Sequence, residues 1–140
     1  MEVEIFTLCD AATEWMGKLN ILGTFDRITA PRFPTVHAHC AVALRVRFER
    51  IEEGNHKVRI NFVNADGKSV IPALNGEVGV RFGDDLQSVC PNLILNLDRL
   101  KFEGPGQYSI DLAIDGRQEK SLPVHVVLAE PSAPPAEPGK

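Results

Sequence analysis

Apolar and polar residues alternate with a period of two along most of this 140-residue chain. Successive side chains of a β-strand point to opposite faces, so this period indicates strands with one buried and one solvent-facing side. The 3.6-residue spacing of an amphipathic helix extends over no window longer than about ten residues. The pattern therefore predicts an all-β fold.

The clearest alternation lies in residues 40–49 and 56–63. In the first segment large apolar residues alternate with Ala43, Arg45, Arg47 and Glu49, and in the second they alternate with Lys57, Arg59 and Asn61. A short connection containing Gly54 joins the two segments. Two alternating segments joined in this way are typical of a β-hairpin. We therefore predict that they pair with each other, with Cys40 buried in phase with Val42.

Turn residues and breaks in the alternation define the rest of the chain. Residues 64–67 and Asp115-Gly116 predict tight turns, since Asp-Gly readily adopts positive φ. The apolar set after Asp115-Gly116 has the wrong parity for one continuous ladder, which predicts a bulge or kink near residues 121–123. A phase shift near Arg99 predicts a bulge or bend within residues 92–102.

At the N-terminus, residues 2–9 and 19–29 read as strands, and the connection over residues 10–17 could hold a short helical turn. About eight strands result, and their spacing predicts two packed antiparallel sheets in a β-sandwich. We assign residues 1–129 to one domain. Residues 130–140 are rich in proline and lack large apolar groups, which predicts a disordered tail; its P-x-x-P matches have no basic anchor beside them.

The distribution of charged and apolar residues argues against several classes of protein. Fifteen basic residues against nineteen acidic ones give a net charge of −4, with no basic cluster of the kind that binds nucleic acid. No apolar run approaches the ~20 residues that span a bilayer. The first ten residues contain Glu2 and Glu4 and no basic leader, so we expect a cytoplasmic protein.

No residue pattern indicates catalysis. Cys9, Cys40 and Cys90 are widely spaced and odd in number, which favours a reducing compartment over a disulfide framework. Cys90 has no cation nearby in the sequence to activate its thiol. Because the chain also lacks a Gly-x-Ser-x-Gly motif and a phosphate-binding loop, we predict that it is not an enzyme and has no cofactor.

His37 and His39 form the one pair with metal-ligand spacing. Two residues apart on a strand, both imidazoles are expected on the same side, where they could reach one divalent ion. A third ligand is missing, because Cys40 points to the opposite face.

Other polar residues are weaker candidates. Asp66 and Asp84-Asp85 lie at turns, as calcium ligands do, but calcium needs six to eight oxygens. His56 and His125 are isolated. We therefore assign no catalytic, cofactor-binding or metal-binding residue.

Trp15 is the only tryptophan, and it lies beside Met16 between two strands. A buried Trp15 would fill the open end of a sandwich. An exposed Trp15 would be an anchor for a protein partner, since tryptophan and methionine are enriched at interface cores.

Residues 106–110, Gly-Gln-Tyr-Ser-Ile, resemble the start of strand F in immunoglobulin-like sandwiches. Ile110 occupies the position of the cysteine in antibody domains. The resemblance therefore implies the immunoglobulin-like architecture alone.

Several short motifs together resemble an uncharacterised bacterial family of small β-sandwich proteins, a domain of unknown function. They are Asp10-Ala11-Ala12, residues 17–25, Phe33-Pro34, residues 66–68, residues 92–97, residues 106–108 and Leu122-Pro123. The resemblance implies a non-secreted, single-domain sandwich and transfers no functional residue.

The leading functional hypothesis is a non-catalytic cytosolic interaction module that binds a protein partner or a second copy of itself. A sandwich has sheet edges that can accept another strand, and residues 2–9 are expected to form one. The alternative is a β-sandwich that binds a metal or small ligand through His37, His39 and loop carboxylates.

Overall fold

The computed structural model describes residues 1–130 as ten β-strands and one short 3₁₀ helix, Arg50–Glu52. This confirms the all-β prediction, with ten strands in place of about eight. The predicted tail, residues 130–140, lies outside the described residues except for Glu130. The strands are β1 (Glu2–Trp15), β2 (Lys18–Thr24), β3 (Arg27–Ala30), β4 (Thr35–Glu49), β5 (Gly54–Val63), β6 (Leu74–Val80), β7 (Ser88–Val89), β8 (Asn92–Phe102), β9 (Gly106–Ile114) and β10 (Arg117–Leu128).

The strands form two five-stranded sheets. The first runs β2-β1-β4-β8, with β7 on the same side of β4 as β8, and the second runs β3-β10-β9-β5-β6. The prediction that all pairing is antiparallel is wrong for β3 and β10, which are parallel. The expected strand over residues 19–29 breaks at Phe25-Asp26, where the chain passes from the first sheet to the second, so β3 lies in a different sheet from β2.

One hydrophobic core fills the space between the sheets. The inward side chains of β4, from Val42 to Phe48 at every second position, are almost fully buried, as their alternation predicts. Phe62 and Phe102 are equally buried and pack against each other and Tyr108. Burial of each such side chain stabilises the fold by roughly 1.5–3 kcal/mol.

The predicted hairpin between residues 40–49 and 56–63 is wrong, although both segments are strands. β4 pairs with β1, β7 and β8, whereas β5 pairs with β6 and β9 in the other sheet. The 3₁₀ helix carries the chain across, and the Glu52 carboxylate accepts a hydrogen bond from the Glu49 backbone N–H at its start. Alternation shows which face of a strand is buried but not which strand lies beside it. It therefore could not distinguish the pairing of β4 with β5 from the pairing of β4 with β8.

The hairpin of β9 and β10 at Asp115-Gly116 is confirmed, and so is the change of parity after it. The bulge lies between Gln118 and Lys120, slightly before the expected position. Pro123 remains within β10. The His125 N–H donates to the Asp26 carbonyl on the β3 side, so the nitrogen of Pro123, two residues earlier, faces the same side before the ladder with β3 begins.

The expected irregularity in β8 is also confirmed. Leu93, Leu95 and Leu97 contact the core, and Arg99 then adopts a left-handed conformation with φ of 55°. After this break Leu100 and Phe102 face the core instead.

The helical turn predicted within residues 10–17 is wrong. β1 continues to Trp15, and the turn consists of Met16 and Gly17, both with positive φ. Two such residues form the tight turn that matches the twist of paired strands.

Candidate interaction surface

The β1–β2 hairpin folds back over the outer face of the first sheet. Leu19 and Ile21 pack against a small second cluster of buried residues, which contains Cys9, Ala41 and Ala43. At the turn, the Gly17 carbonyl accepts a hydrogen bond from the Asn92 side chain of β8. The expectation that the outer face of β4 is wholly solvated is therefore wrong at Ala43, because the hairpin covers it.

Gly23 is where the hairpin bends. Its φ is +66°, and a Cβ atom here would lie 2.6 Å from Oδ2 of Asp10. Between Gly23 and the turn, Ile21 and Leu19 lie on the face of β2 that contacts the sheet. Only glycine meets both the backbone angle and the close approach without strain.

The other face of the hairpin points away from the protein. Trp15 is 70% exposed, Leu22 is 70% exposed and Met16, in the turn, is 81% exposed. Trp15 pairs with Lys18 and Leu22 with Ala11, and these partners are on the same face of a regular ladder. We call this face, with Met16, the outer hairpin surface. Of the two interpretations of Trp15, the structure therefore supports the exposed one.

β2 also has an open edge. Within residues 1–130 its only ladder partner is β1, and Lys18 is its only charged residue. Other edge strands are protected by length, charge or irregularity. β3 has four residues and ends before Pro31, β6 carries Glu77, and β8 carries Asp98, Lys101 and the left-handed Arg99.

The expected edge at residues 2–9 is blunted. Glu4 lies at a bulge between Val3 and Ile5, and its carboxylate accepts hydrogen bonds from Nε of Arg45 at 3.1 Å and of Arg47 at 2.6 Å. The bond from Arg47 and a weaker one from the Cys90 thiol lower the pKa of Glu4 to about 2. The bulge and this cluster make β1 a poor template for an added strand.

His37 and His39 lie on opposite faces, contrary to the same-side expectation. Leu100, the cross-strand partner of His37, is in the core, whereas Asp98, the partner of His39, is exposed. Cross-strand partners share a face, and the break at Arg99 separates the two pairs. His37 contacts the Phe25 ring, while Nδ1 of His39 is 2.6 Å from Asp98 Oδ1.

The loop carboxylates do not complete a metal site either. Nowhere in residues 1–130 do three His, Cys, Asp or Glu side chains lie close enough to bind one metal ion. Asp66 lies in the turn that Asn64 stabilises by accepting hydrogen bonds from the Asp66 and Lys68 N–H groups. The alternative hypothesis thus loses the geometry on which it depended.

All three cysteine side chains are at least partly buried. Cys40 is fully buried in the core, and burial raises the pKa of its thiol to about 12. Cys9 is buried beneath the hairpin, where its thiol donates to the Ala41 carbonyl and burial again raises the pKa. Cys90 is half-buried, and burial followed by Glu4 raises the pKa of its thiol. These pKa values disfavour the thiolate that a nucleophile requires.

The sequence did not predict a cluster of polar contacts around His56, at one end of the sandwich. Nδ1 of His56 lies 2.6 Å from Asp115 Oδ2, and Nε2 lies 2.6 Å from the Glu52 carbonyl oxygen. Both oxygens are acceptors, so this geometry favours the protonated ring, in which both nitrogens donate. Phe48 stacks on the ring, and the Met1 amino group is 2.8 Å from Glu52 Oε1. His56 and Asp115 are 59 residues apart, so no local spacing could reveal the pair.

A comparison with protein families supplies the classification. Residues 4–127 match the model of a family of unknown function, DUF6941. The chain belongs to this family. No curated protein matches it.

The DUF6941 match confirms the resemblance to a domain of unknown function and includes every residue that pairs β1 with β2, from Cys9 to Thr24. Two of the motifs that carried the resemblance, Asp10-Ala11-Ala12 and residues 17–25, build the bend and the open edge of that hairpin. Residues 1–130 of the DUF6941 chain contain no helix long and apolar enough to cross a membrane.

Proposed function

We propose that this DUF6941 chain is a non-catalytic cytosolic interaction module whose partner is a protein that binds the outer hairpin surface and the open edge of β2. The exposure of Trp15 and Met16 at the turn carries the proposal. Large side chains of this kind are the usual energetic centres of protein interfaces.

The attachment of the hairpin supports the same conclusion. Leu19 and Ile21 anchor one face on the sheet, and Asn92 holds the turn. A partner therefore meets a preorganised surface, which lowers the entropic cost of binding. Neighbouring backbone groups along β2 can pair with an extended segment of the partner.

The roles of the titratable residues support a non-catalytic function. His56, Glu4 and Asp115 each hold two or more elements together. The three unpaired cysteines support a reducing, cytosolic environment.

We also propose that the sandwich is immunoglobulin-like. The order β10-β9-β5-β6 corresponds to strands G, F, C and C′, and β1-β4-β8 corresponds to A, B and E. The Tyr108 hydroxyl donates to the Gly104 carbonyl at 2.8 Å, four residues upstream, as in a tyrosine corner. A solved structure that paired these strands in another order would contradict this assignment.

Affinity capture with matched variants tests the function. Trp15→Ala is expected to reduce the recovery of a stoichiometric protein, or of untagged copies of this chain, at least tenfold, because a tryptophan hot spot contributes about 2 kcal/mol or more. Ile51→Ala is the control, since Ile51 is 94% exposed on the 3₁₀ helix and lies outside the hairpin. If no captured protein depends on Trp15 while both variants keep the circular dichroism of the wild type, the proposal is wrong.

A further inference from the structure

We infer that the partner of β2 is a second copy of this chain, paired antiparallel with β2 across a two-fold axis at Asn20. This inference rests on the proposed function and specifies its partner. The backbone pattern of the hairpin, the charge of β2 and the positions of Trp15 and Leu22 each support it.

The backbone pattern identifies the groups that face outward. In a hairpin with a two-residue turn, the closing pair is hydrogen-bonded, and here that pair is Trp15 and Lys18. Lys18, Asn20 and Leu22 therefore bond to β1. The N–H and C=O groups of Leu19 and Ile21 point to the open edge.

A two-fold axis at Asn20 uses these outward groups. Leu19 of each copy then lies opposite Ile21 of the other, which gives two hydrogen-bonded pairs, or four hydrogen bonds. The register stops short of needing Gly23, whose left-handed backbone interrupts a regular ladder. It also opposes Lys18 to Leu22, so no like charges face each other.

The same arrangement joins two apolar groups that a single copy keeps apart. Trp15 and Leu22 lie at opposite ends of one hairpin, about 14 Å apart along the strands. In the dimer, Leu22 of one copy lies beside Lys18 and about 10 Å from the strand position of Trp15 in the other, a gap that the indole and the lysine stem fill. Pairing of the two copies thus covers Trp15 and Leu22 of each copy.

A charge exchange tests the pairing. Sedimentation velocity over a concentration series up to about 200 µM is expected to show a mass that rises from 15.4 kDa towards twice that value. Leu22→Lys opposes two lysines and is expected to leave monomer only. Adding Lys18→Glu to that variant opposes unlike charges and is expected to restore the dimer. Leu86→Lys, at a half-exposed leucine outside the hairpin, is the control and should leave the dimer intact.

A cysteine placed at the axis tests the register. The two Asn20 residues form a non-hydrogen-bonded pair with Cα atoms about 4.5 Å apart, within disulfide range. Asn20→Cys in a Cys90→Ser background is therefore expected to form a covalent dimer on mild oxidation. Thr13→Cys, one strand further from the axis on the same face, is not.

The outcomes separate the two proposals. A chain that stays monomeric throughout the concentration series, or a dimer that Leu22→Lys leaves unchanged, overturns the inference. If capture of another protein still depends on Trp15 in that case, the proposed interaction function stands. If neither self-association nor capture depends on the hairpin, both are wrong.

Discussion

At the scale of single residues, His56 decides how one end of the sandwich is fastened. It joins the 3₁₀ helix to the turn between β9 and β10, and its side chain is only 14% exposed. Burial lowers the pKa of His56, but the bonds to Asp115 and to the Glu52 carbonyl raise it by more, so it lies above the ordinary 6.5. The bond from His56 lowers the pKa of Asp115 below its ordinary 3.8.

The signs of these shifts predict how stability depends on pH. Protonated His56 stabilises the fold fully below pH 6.5, and this stabilisation is lost as the pH rises through the raised pKa. The contribution of Asp115 is fully present above pH 3.8 and is lost as the pH falls through its lowered pKa. The ion pair of His56 and Asp115 is therefore expected to stabilise the fold most between pH 3.8 and pH 6.5.

The variant His56→Gln tests this window. Near pH 5 it is expected to lower the free energy of unfolding by about 1.5–3 kcal/mol, the range for hydrogen bonds to charged groups, and by less near pH 9. Urea unfolding followed by circular dichroism measures both values, with His125→Gln as the control. An equal loss at both pH values would contradict a cationic His56.

At the scale of the element, the bend of the β1–β2 hairpin depends on a left-handed glycine. Gly23 brings Leu19 and Ile21 onto the outer face of the sheet, where the alanines of β4 leave room for them. Larger residues at Ala41 or Ala43 would hold the hairpin away. The same bend sets the direction of the outer hairpin surface.

Gly23→Ala tests the bend. It is expected to destabilise the protein by about 1–2 kcal/mol, since a left-handed backbone costs that much for alanine, and to weaken capture through Trp15. Gly76→Ala is the matched control, because Gly76 is also in an edge strand but has an ordinary φ and free space around its Cβ position. Equal effects of the two substitutions on urea unfolding would rule out a special role for Gly23.

At the scale of the whole molecule, the fold has a main core between the sheets and a small cluster under the hairpin. Cys40 is buried in the first and Cys9 in the second, so the two thiols report on different parts of the structure. Local opening of the hairpin would expose Cys9 alone.

Thiol labelling is expected to occur in three stages. Under native conditions, half-buried Cys90 reacts first, then Cys9 as the hairpin opens, and Cys40 only on global unfolding. Mass spectrometry after timed alkylation measures the order, and Gly23→Ala should accelerate Cys9 more than Cys40. Simultaneous labelling of Cys9 and Cys40 would show that the hairpin does not open on its own.

The sequence by itself determined the all-β class, the buried face of β4, the turn at Asp115-Gly116 and the breaks near Arg99 and residue 121. All of these are local, because side-chain alternation and positive φ depend on neighbouring residues. It also singled out Trp15 as either a plug or an anchor.

Only the tertiary structure decided which strands are neighbours and which residues meet. Alternation is the same whichever strand pairs with β4, so the crossing to β5 in the other sheet could not be read from it. The separation of His37 from His39 depends on the left-handed Arg99 of a different strand. The His56–Asp115 pair and the exposure of Trp15 likewise result from long-range packing, which brings together or keeps apart residues that no local spacing relates.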